Sequence, residues 1–306
     1  MTNPHFQKTS LDKIGIIGAT LAASGWGMAG IFIQLLTDFS VFSVIAIRLT
    51  LALAMTTTTL LLFPNKFWTY CQELRHFQVW GLSSIMLTCY ACGTLAFQLS
   101  TVSDVTLLMA TSPIFVILFK LLQRKPVRQN EYRGASIAFL GICFIIFPGF
   151  TMGNIILKQR IVGNSLALIF SVLLAIYATW FNSLRNHLKA PNSVAVALGT
   201  FVLGSLIFFP VATRSISASI NEIETRQIVA LIGLGIISTA IPTLSYAIAA
   251  KRLPPLTTTS VLLLEPIFAT FFAFLILREI PSVWIVPGAT FVVIGLLSTH
   301  RVVLRD

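Results

Sequence analysis

The chain has 306 residues, 56% of them hydrophobic and only 10% charged, whereas a soluble domain carries about 25% charge. That deficit, with 24 Phe and a mean hydropathy of +0.88, excludes a water-soluble fold, because two globular cores could not hide so much apolar surface. The net charge of +11 does not mark a nucleic-acid binder: the cations sit as ones and twos between apolar runs, with no basic stripe, and read as membrane orientation signals.

A membrane-spanning helix needs about 20 mostly apolar residues, and ten stretches qualify: Ile14–Leu36, Val41–Phe63, Phe77–Leu99, Val105–Leu122, Arg133–Pro148, Val162–Leu184, Ser193–Thr213, Ile228–Ala249, Leu256–Leu277 and Ser282–His300. Breakers mark the joints, among them Pro64-Asn65, Ser103-Asp104, Pro148-Gly149, Pro254-Pro255 and Pro281. The runs are continuously apolar, unlike the alternating strands of a membrane β-barrel. The first is too long for a signal-peptide core and reads as an uncleaved span. Counted loop by loop, fifteen Lys and Arg fall on one side and six on the other. The positive-inside rule then places both termini in the cytoplasm, as an even number of spans requires.

Self-comparison sets Ser112-Pro113-Ile114-Phe115 beside Glu265-Pro266-Ile267-Phe268 at an offset of 153, and one slip later Gly134-Ala135 and Gly141 fall on Gly288-Ala289 and Gly295. Each half holds five spans, an odd number, so the halves enter the membrane from opposite sides as inverted repeats. The expected fold is an all-α polytopic membrane protein. Its units are a tail at 1–13, five helices over 14–149, an external linker at 150–161, five helices over 162–300, and a tail at 301–306.

With these features the chain resembles the drug/metabolite transporter superfamily, and within it the EamA-type families of duplicated five-span units. The resemblance rests on Trp26-Gly27, Arg48, the Pro-Ile-Phe of span four, and Leu264-Glu265-Pro266, Leu277-Arg278-Glu279, Pro287-Gly288-Ala289 and Gly295. It departs from the pattern at Lys125, in register with Glu279 where an acid is frequent. The resemblance implies a ten-helix secondary carrier with a central cavity between its halves, most often an exporter of amino acids or other small metabolites.

Two charges lie deep in the spans. Glu265 sits about 15 Å into span nine by the helical rise, where a charge costs about 2.5–3.5 kcal/mol on insertion scales. It reads as a ligand for a cationic group or a carrier of a coupling proton, or as a buried acid bonded to a helix end. Arg48 sits about 10 Å into span two. It could pair with Glu265, receive a substrate carboxylate opposite Glu265 and an ammonium, or snorkel to headgroups. Helical spacing adds Trp26 and Gln34 on span one, Tyr90, Thr94 and Gln98 on span three, Tyr177 and Trp180 on span six, and Tyr246 on a face of span eight shared with Thr239, Pro242 and Ala249. Polar atoms turn inward in lipid, so these residues are the candidate substrate contacts, with anchoring or ordinary packing as the alternative. Trp68, Tyr70, Trp80 and Trp284 lie near span ends and read as interfacial anchors. Pro113 and Pro266, equivalent in the two halves, are candidate kinks or gates. The recurring glycines read as close helix packing.

Cys89-x-x-Cys92 has no second pair and reads as core. No metal, cofactor or catalytic residue is expected: the four His fall in tails, loops or helix ends, and no phosphate loop occurs. The segment 214–226 reads as a short external amphipathic piece. The resulting expectation is a bacterial inner-membrane secondary carrier, not an enzyme, that exports amino acids, related metabolites or amphiphiles by alternating access. Its partners are the small-molecule substrate, membrane lipids and, through Glu265, a coupling proton. An exchanger or uptake carrier is the alternative, and a polytopic membrane enzyme the rival from another class.

Overall fold

The computed structural model describes residues 12–36, 38–100, 102–124, 126–146, 157–186, 190–219, 224–277 and 284–300, and among them every regular element is helical. The first apolar run forms α1 (Lys13–Gly27) and α2 (Ala29–Gln34), interrupted at Met28. Asp12 caps α1 by accepting hydrogen bonds from the N–H groups of Ile14 and Gly15, which satisfies two donors that lack helical partners. α3 (Val41–Leu61) follows, capped by the Ser40 hydroxyl. A short surface helix, α4 (Pro64–Glu73), opens on a proline and leaves Trp68 67% exposed between predicted spans. α5 (Phe77–Leu99) is unbroken.

Span four is broken one turn before Pro113, into α6 (Val102–Met109) and α7 (Ser112–Leu122). Proline has no N–H, so the carbonyl four residues earlier loses its donor. That carbonyl belongs to Met109, and the Ser171 hydroxyl donates to it at 2.7 Å. α8 (Gln129–Ile146), α9 (Leu157–Asn186) and α10 (Ser193–Ser219) are continuous, and the segment expected as a separate piece after Thr213 instead continues α10 to Ser219. Span eight is α11 (Thr225–Gly235), a five-residue π segment (Ile236–Ala240) and α12 (Ile241–Arg252). Span nine is α13 (Pro255–Val261), a 3-10 turn (Leu262–Leu264) and α14 (Glu265–Leu277), so it too breaks just before its proline. α15 (Ile285–His300) completes the described chain. Lys125, Pro148-Gly149, Arg278, Glu279 and Pro281 lie outside the described residues.

Seven of these helical stretches are long and apolar enough to cross a membrane. The break in span four leaves α6 and α7 with 8 and 11 residues, α8 opens on a polar stretch that includes Glu131 and Arg133, and 16 residues of α15 are described. Those three runs therefore fall outside the seven.

The helix boundaries repeat: α6 and α13 begin 153 residues apart, as do α7 and α14. Packing repeats with them. α1 lies along α12 just as α9 lies along α5, α3 lies along α10, and α8 runs antiparallel to α15. The last pair touches through backbone. A Cβ at Gly141 would stand 2.5 Å from the Gly288 carbonyl oxygen, and one at Gly295 would stand 2.5 Å from the Ala138 nitrogen and 2.6 Å from the Gly134 carbonyl oxygen. Each glycine of one repeat thus meets the other repeat's equivalent of its own heptad neighbour, the reciprocity expected at a two-fold crossing. The largest buried cluster spans both halves, from Trp26, Leu49 and Tyr90 to Tyr177, Phe201 and Tyr246. Phe271, Phe274, Leu275 and Ile276 of α14 remain exposed, as lipid-facing side chains do.

Candidate functional site: a cavity between the halves

A small cavity of about 30 Å³ opens between α1, α2, α3, α5, α6, α9 and α14. Five sequence-predicted residues, Trp26, Arg48, Tyr90, Thr94 and Glu265, border it together with Phe97, Met86, Met109 and Phe170. Its lining runs from Met86 and Trp26 toward Ile33 and Phe97, the α2 end of the bundle. Both Cys89 and Cys92 are buried free thiols, as expected of core positions.

Arg48 is 3% exposed and donates three hydrogen bonds. Its Nε–H donates to Thr239 Oγ1 at 2.9 Å, Nη1 donates to Thr94 Oγ1 at 2.9 Å, and Nη2 donates to the Ser238 carbonyl oxygen at 3.3 Å. The guanidinium also lies 4.6 Å from the centre of the Tyr90 ring, a cation–π contact. The local sequence of span eight explains these acceptors. Pro242 stands four residues after Ser238 and cannot donate to its carbonyl, and Arg48 supplies the missing donor. The π segment lets the Thr239 hydroxyl reach back to the Leu234 carbonyl at 2.6 Å while its oxygen accepts from Arg48.

Tyr90 is the second hub. Its hydroxyl accepts from Trp26 Nε1 at 3.1 Å, bonds Thr243 Oγ1, and reaches the Thr239 carbonyl at 3.4 Å. Tyr90 and Thr243 lie 153 residues apart, the repeat offset, so two equivalent side chains meet across the halves.

Glu265 is the first residue of α14, set at the 3-10 break. The Gly27 position lets α1 approach so closely that a Cβ there would lie 3.0 Å from the Glu265 carbonyl oxygen. Its carboxylate borders the cavity with no hydrogen-bond or ion-pair partner among the described residues. Arg48 and Glu265 share the cavity without pairing.

The remaining predicted residues are distributed around this centre. Tyr246 is fully buried, its ring tilted against Trp26 at 5.1 Å and, at 5.6 Å, against Tyr177, which in turn meets Phe181 at 5.7 Å. This aromatic column closes the cavity on its α12 side, and the Tyr246 hydroxyl has no hydrogen-bond partner among the described residues. Tyr246 stands 153 residues after Gly93, whose lack of a side chain helps to open the cavity. The face of span eight holding Pro242 and Ala249 packs against Gly25 and Gly18 of α1 rather than bordering open space. Trp180 fills the space beside Gly81 and borders a second, polar cavity with Asn182, Asn186 and Gln123. Gln98 buries its amide nitrogen without a partner, outside the cavity lining. Gln34 is exposed at the end of α2 and does not join the site. Pro113 and Pro266 each follow a helix break and shape the wall rather than line it. Sequence reasoning missed Thr243 and the Ser238 carbonyl, whose only signal is the proline four residues on.

At the far end of the bundle, Asp12 pairs with Arg252 at 2.9 Å, and Glu73 accepts from the Asn192 N–H. Partial desolvation raises the Asp12 carboxyl, but the bonds from Arg252 and from the Gly15 and Ile14 N–H groups outweigh it and hold the group below its ordinary value of 3.8.

Comparison with known proteins matches this architecture in both halves. The model of the EamA-like transporter family fits residues 13–147 and again 161–300. An uncharacterized transporter of Archaeoglobus fulgidus is 25% identical over 227 residues, covering 74% of this chain and 76% of that protein. One of Clostridium kluyveri is 26% identical over 224 residues, covering 68% and 70%. A solved crystal structure shares the fold at a TM-score of 0.71 and 16% identity, over 95% of this chain and 98% of its own. With two copies of the family's unit accounting for nearly its whole length, the chain belongs to the EamA-like transporter family and is a multi-pass membrane transporter.

Proposed function

We propose that the chain is a secondary active transporter of the bacterial cell membrane that exports amino acids, related small metabolites or amphiphilic compounds by alternating access through the central cavity. In this reading ten helices span the membrane as inverted units over 14–149 and 162–300, joined by an external linker at 150–161, with the tails at 1–13 and 301–306 in the cytoplasm. The cation bias supports the orientation, and the antiparallel pairing of the equivalent helices α8 and α15 supports the inversion. So oriented, the cavity leads outward, and the column of Trp26, Tyr246 and Tyr177 stands between it and the cytoplasm as an inner gate. Pro113 and Pro266 serve as hinges, Trp180 lines the cytoplasmic approach, and Gln98 flanks the outer mouth.

One observation carries the proposal: a carboxylate deep in the membrane, Glu265, faces a cavity at a helix break with no protein partner among the described residues. A group so placed holds a proton or a substrate cation, and exchanging one for the other couples the two. Transport then needs no covalent chemistry. Exchange or uptake through the same cavity is the second reading, since the gradients set direction. The test is flux of amino acids, nucleosides and cations into liposomes containing the purified protein, with and without a pH gradient. A flux that follows the gradient and loses that response in Glu265→Gln is expected; no flux for any solute, or a response kept in the variant, overturns the proposal.

A further inference from the structure

Carrier activity alone does not say which end of a solute the cavity reads. On the carrier reading that end can be assigned, because the two charges bordering the cavity differ in how far they are satisfied. A carboxylate is gripped by Arg through two parallel N–H bonds from neighbouring nitrogens. In Arg48 three of the five N–H groups already donate, to Thr239, Thr94 and Ser238, one face of the guanidinium lies over Tyr90, and the residue is only 3% exposed. Arg48 is therefore a bolt between α3, α5 and the π segment of span eight, and its two remaining N–H groups are buried with it, away from an incoming carboxylate. Glu265 is the opposite case, a carboxylate with no partner among the described residues, on the wall of the same space.

The rest of the wall sharpens the contrast. Trp26, Tyr90, Phe97 and Phe170 give it aromatic surfaces, with Met86 and Met109 between them. Aromatic faces attract cations, an acidic group binds ammonium by charge-assisted hydrogen bonds, and the apolar lining favours a hydrocarbon body. The space is about 30 Å³ in this conformation, so an organic solute enters only as the halves part. We infer that, of the solute classes the carrier reading admits, the cavity takes the amphiphiles rather than the amino acids: a protonated organic amine on an apolar body, with Glu265 holding the ammonium, in preference to carboxylates and zwitterions.

Three probes with the same phenyl body separate the alternatives on the full chain in detergent, by isothermal titration at neutral pH: 2-phenylethylamine, phenylalanine and 3-phenylpropionate. The amine is expected to bind at least tenfold more tightly than phenylalanine, with no measurable binding of the propionate, and to weaken at least tenfold in Glu265→Gln, a variant of unchanged size. Phenylalanine or the propionate binding as tightly as the amine overturns the inference, as does amine binding unaltered in the variant or absent from the unmodified protein. Liposome flux tells this failure from that of the carrier reading. Flux of a carboxylate-bearing solute without amine binding overturns the amine assignment alone, and absence of flux for every solute overturns both.

Discussion

Tyr90 and Thr243, equivalent positions of the two repeats, hydrogen-bond to each other at the centre of the molecule. Trp26 donates to the same Tyr90 hydroxyl, so one oxygen ties three helices. Removing that oxygen leaves buried donors unpaired, at about 1–3 kcal/mol. Tyr90→Phe is expected to lower the unfolding temperature, and Thr243→Val to do so by less. The double variant should fall short of the sum of the two, since both remove one shared bond. Thermal unfolding of the four proteins in the same detergent checks this, and strict additivity would refute the shared bond.

Arg48 bridges three acceptors, and lysine cannot replace it because an ammonium on a flexible stem has no planar fork. Arg48→Lys is expected to lose at least one charged hydrogen bond and to destabilise the protein by about 2–3 kcal/mol. The measured drop in unfolding temperature should be matched or exceeded by Arg48→Ala, which also leaves Thr94 and Ser238 without their donor.

The glycine crossing of α8 and α15 gives a steric prediction. Gly141→Ala and Gly295→Ala each force a methyl into backbone atoms 2.5 Å away, and overpacking of this kind costs about 1–3 kcal/mol. Both variants should unfold at lower temperature, and by similar amounts, because the two contacts are reciprocal. A loss in one without the other would break the equivalence of the pair.

Asp12 supplies a pH dependence. Its carboxyl is held below its ordinary value of 3.8 by Arg252 and the start of α1. A depressed carboxyl stabilises the folded state while it is ionised, and the benefit is lost as pH falls through the folded value. The pair is partly exposed, so Asp12→Asn should cost about 1 kcal/mol at neutral pH. The difference in unfolding temperature from the unmodified protein is expected to vanish below the ordinary carboxylate range.

Much of this architecture is written in composition and spacing. Continuous apolar runs give the helices, and Pro113 and Pro266 foretell the breaks in spans four and nine because the missing N–H is a local property. The π segment of span eight is not legible, since an extra residue in a helical turn has no residue signature of its own. The same limit governs the site. Depth alone singled out Arg48 and Glu265, but whether a deep charge is satisfied depends on neighbours 46 and 191 residues away along the chain. Helical stripes brought Trp26 and Tyr90 to the cavity and also carried Gln34 along with them, although the helix interruption at Met28 leaves that side chain exposed.

The unequal pair Gly93 and Tyr246 has a thermodynamic meaning. On the alternating-access reading proposed above, two identical halves would rock between states of equal energy, and the resting population would divide evenly between them. Here one half leaves a hollow where the other inserts a ring that packs against Trp26 and Tyr177. Opening the second side means parting those rings and hydrating them, whereas opening the first exposes a glycine. On that reading the empty transporter is biased toward one face, and a solute drives the cycle only to the extent that its binding offsets that bias.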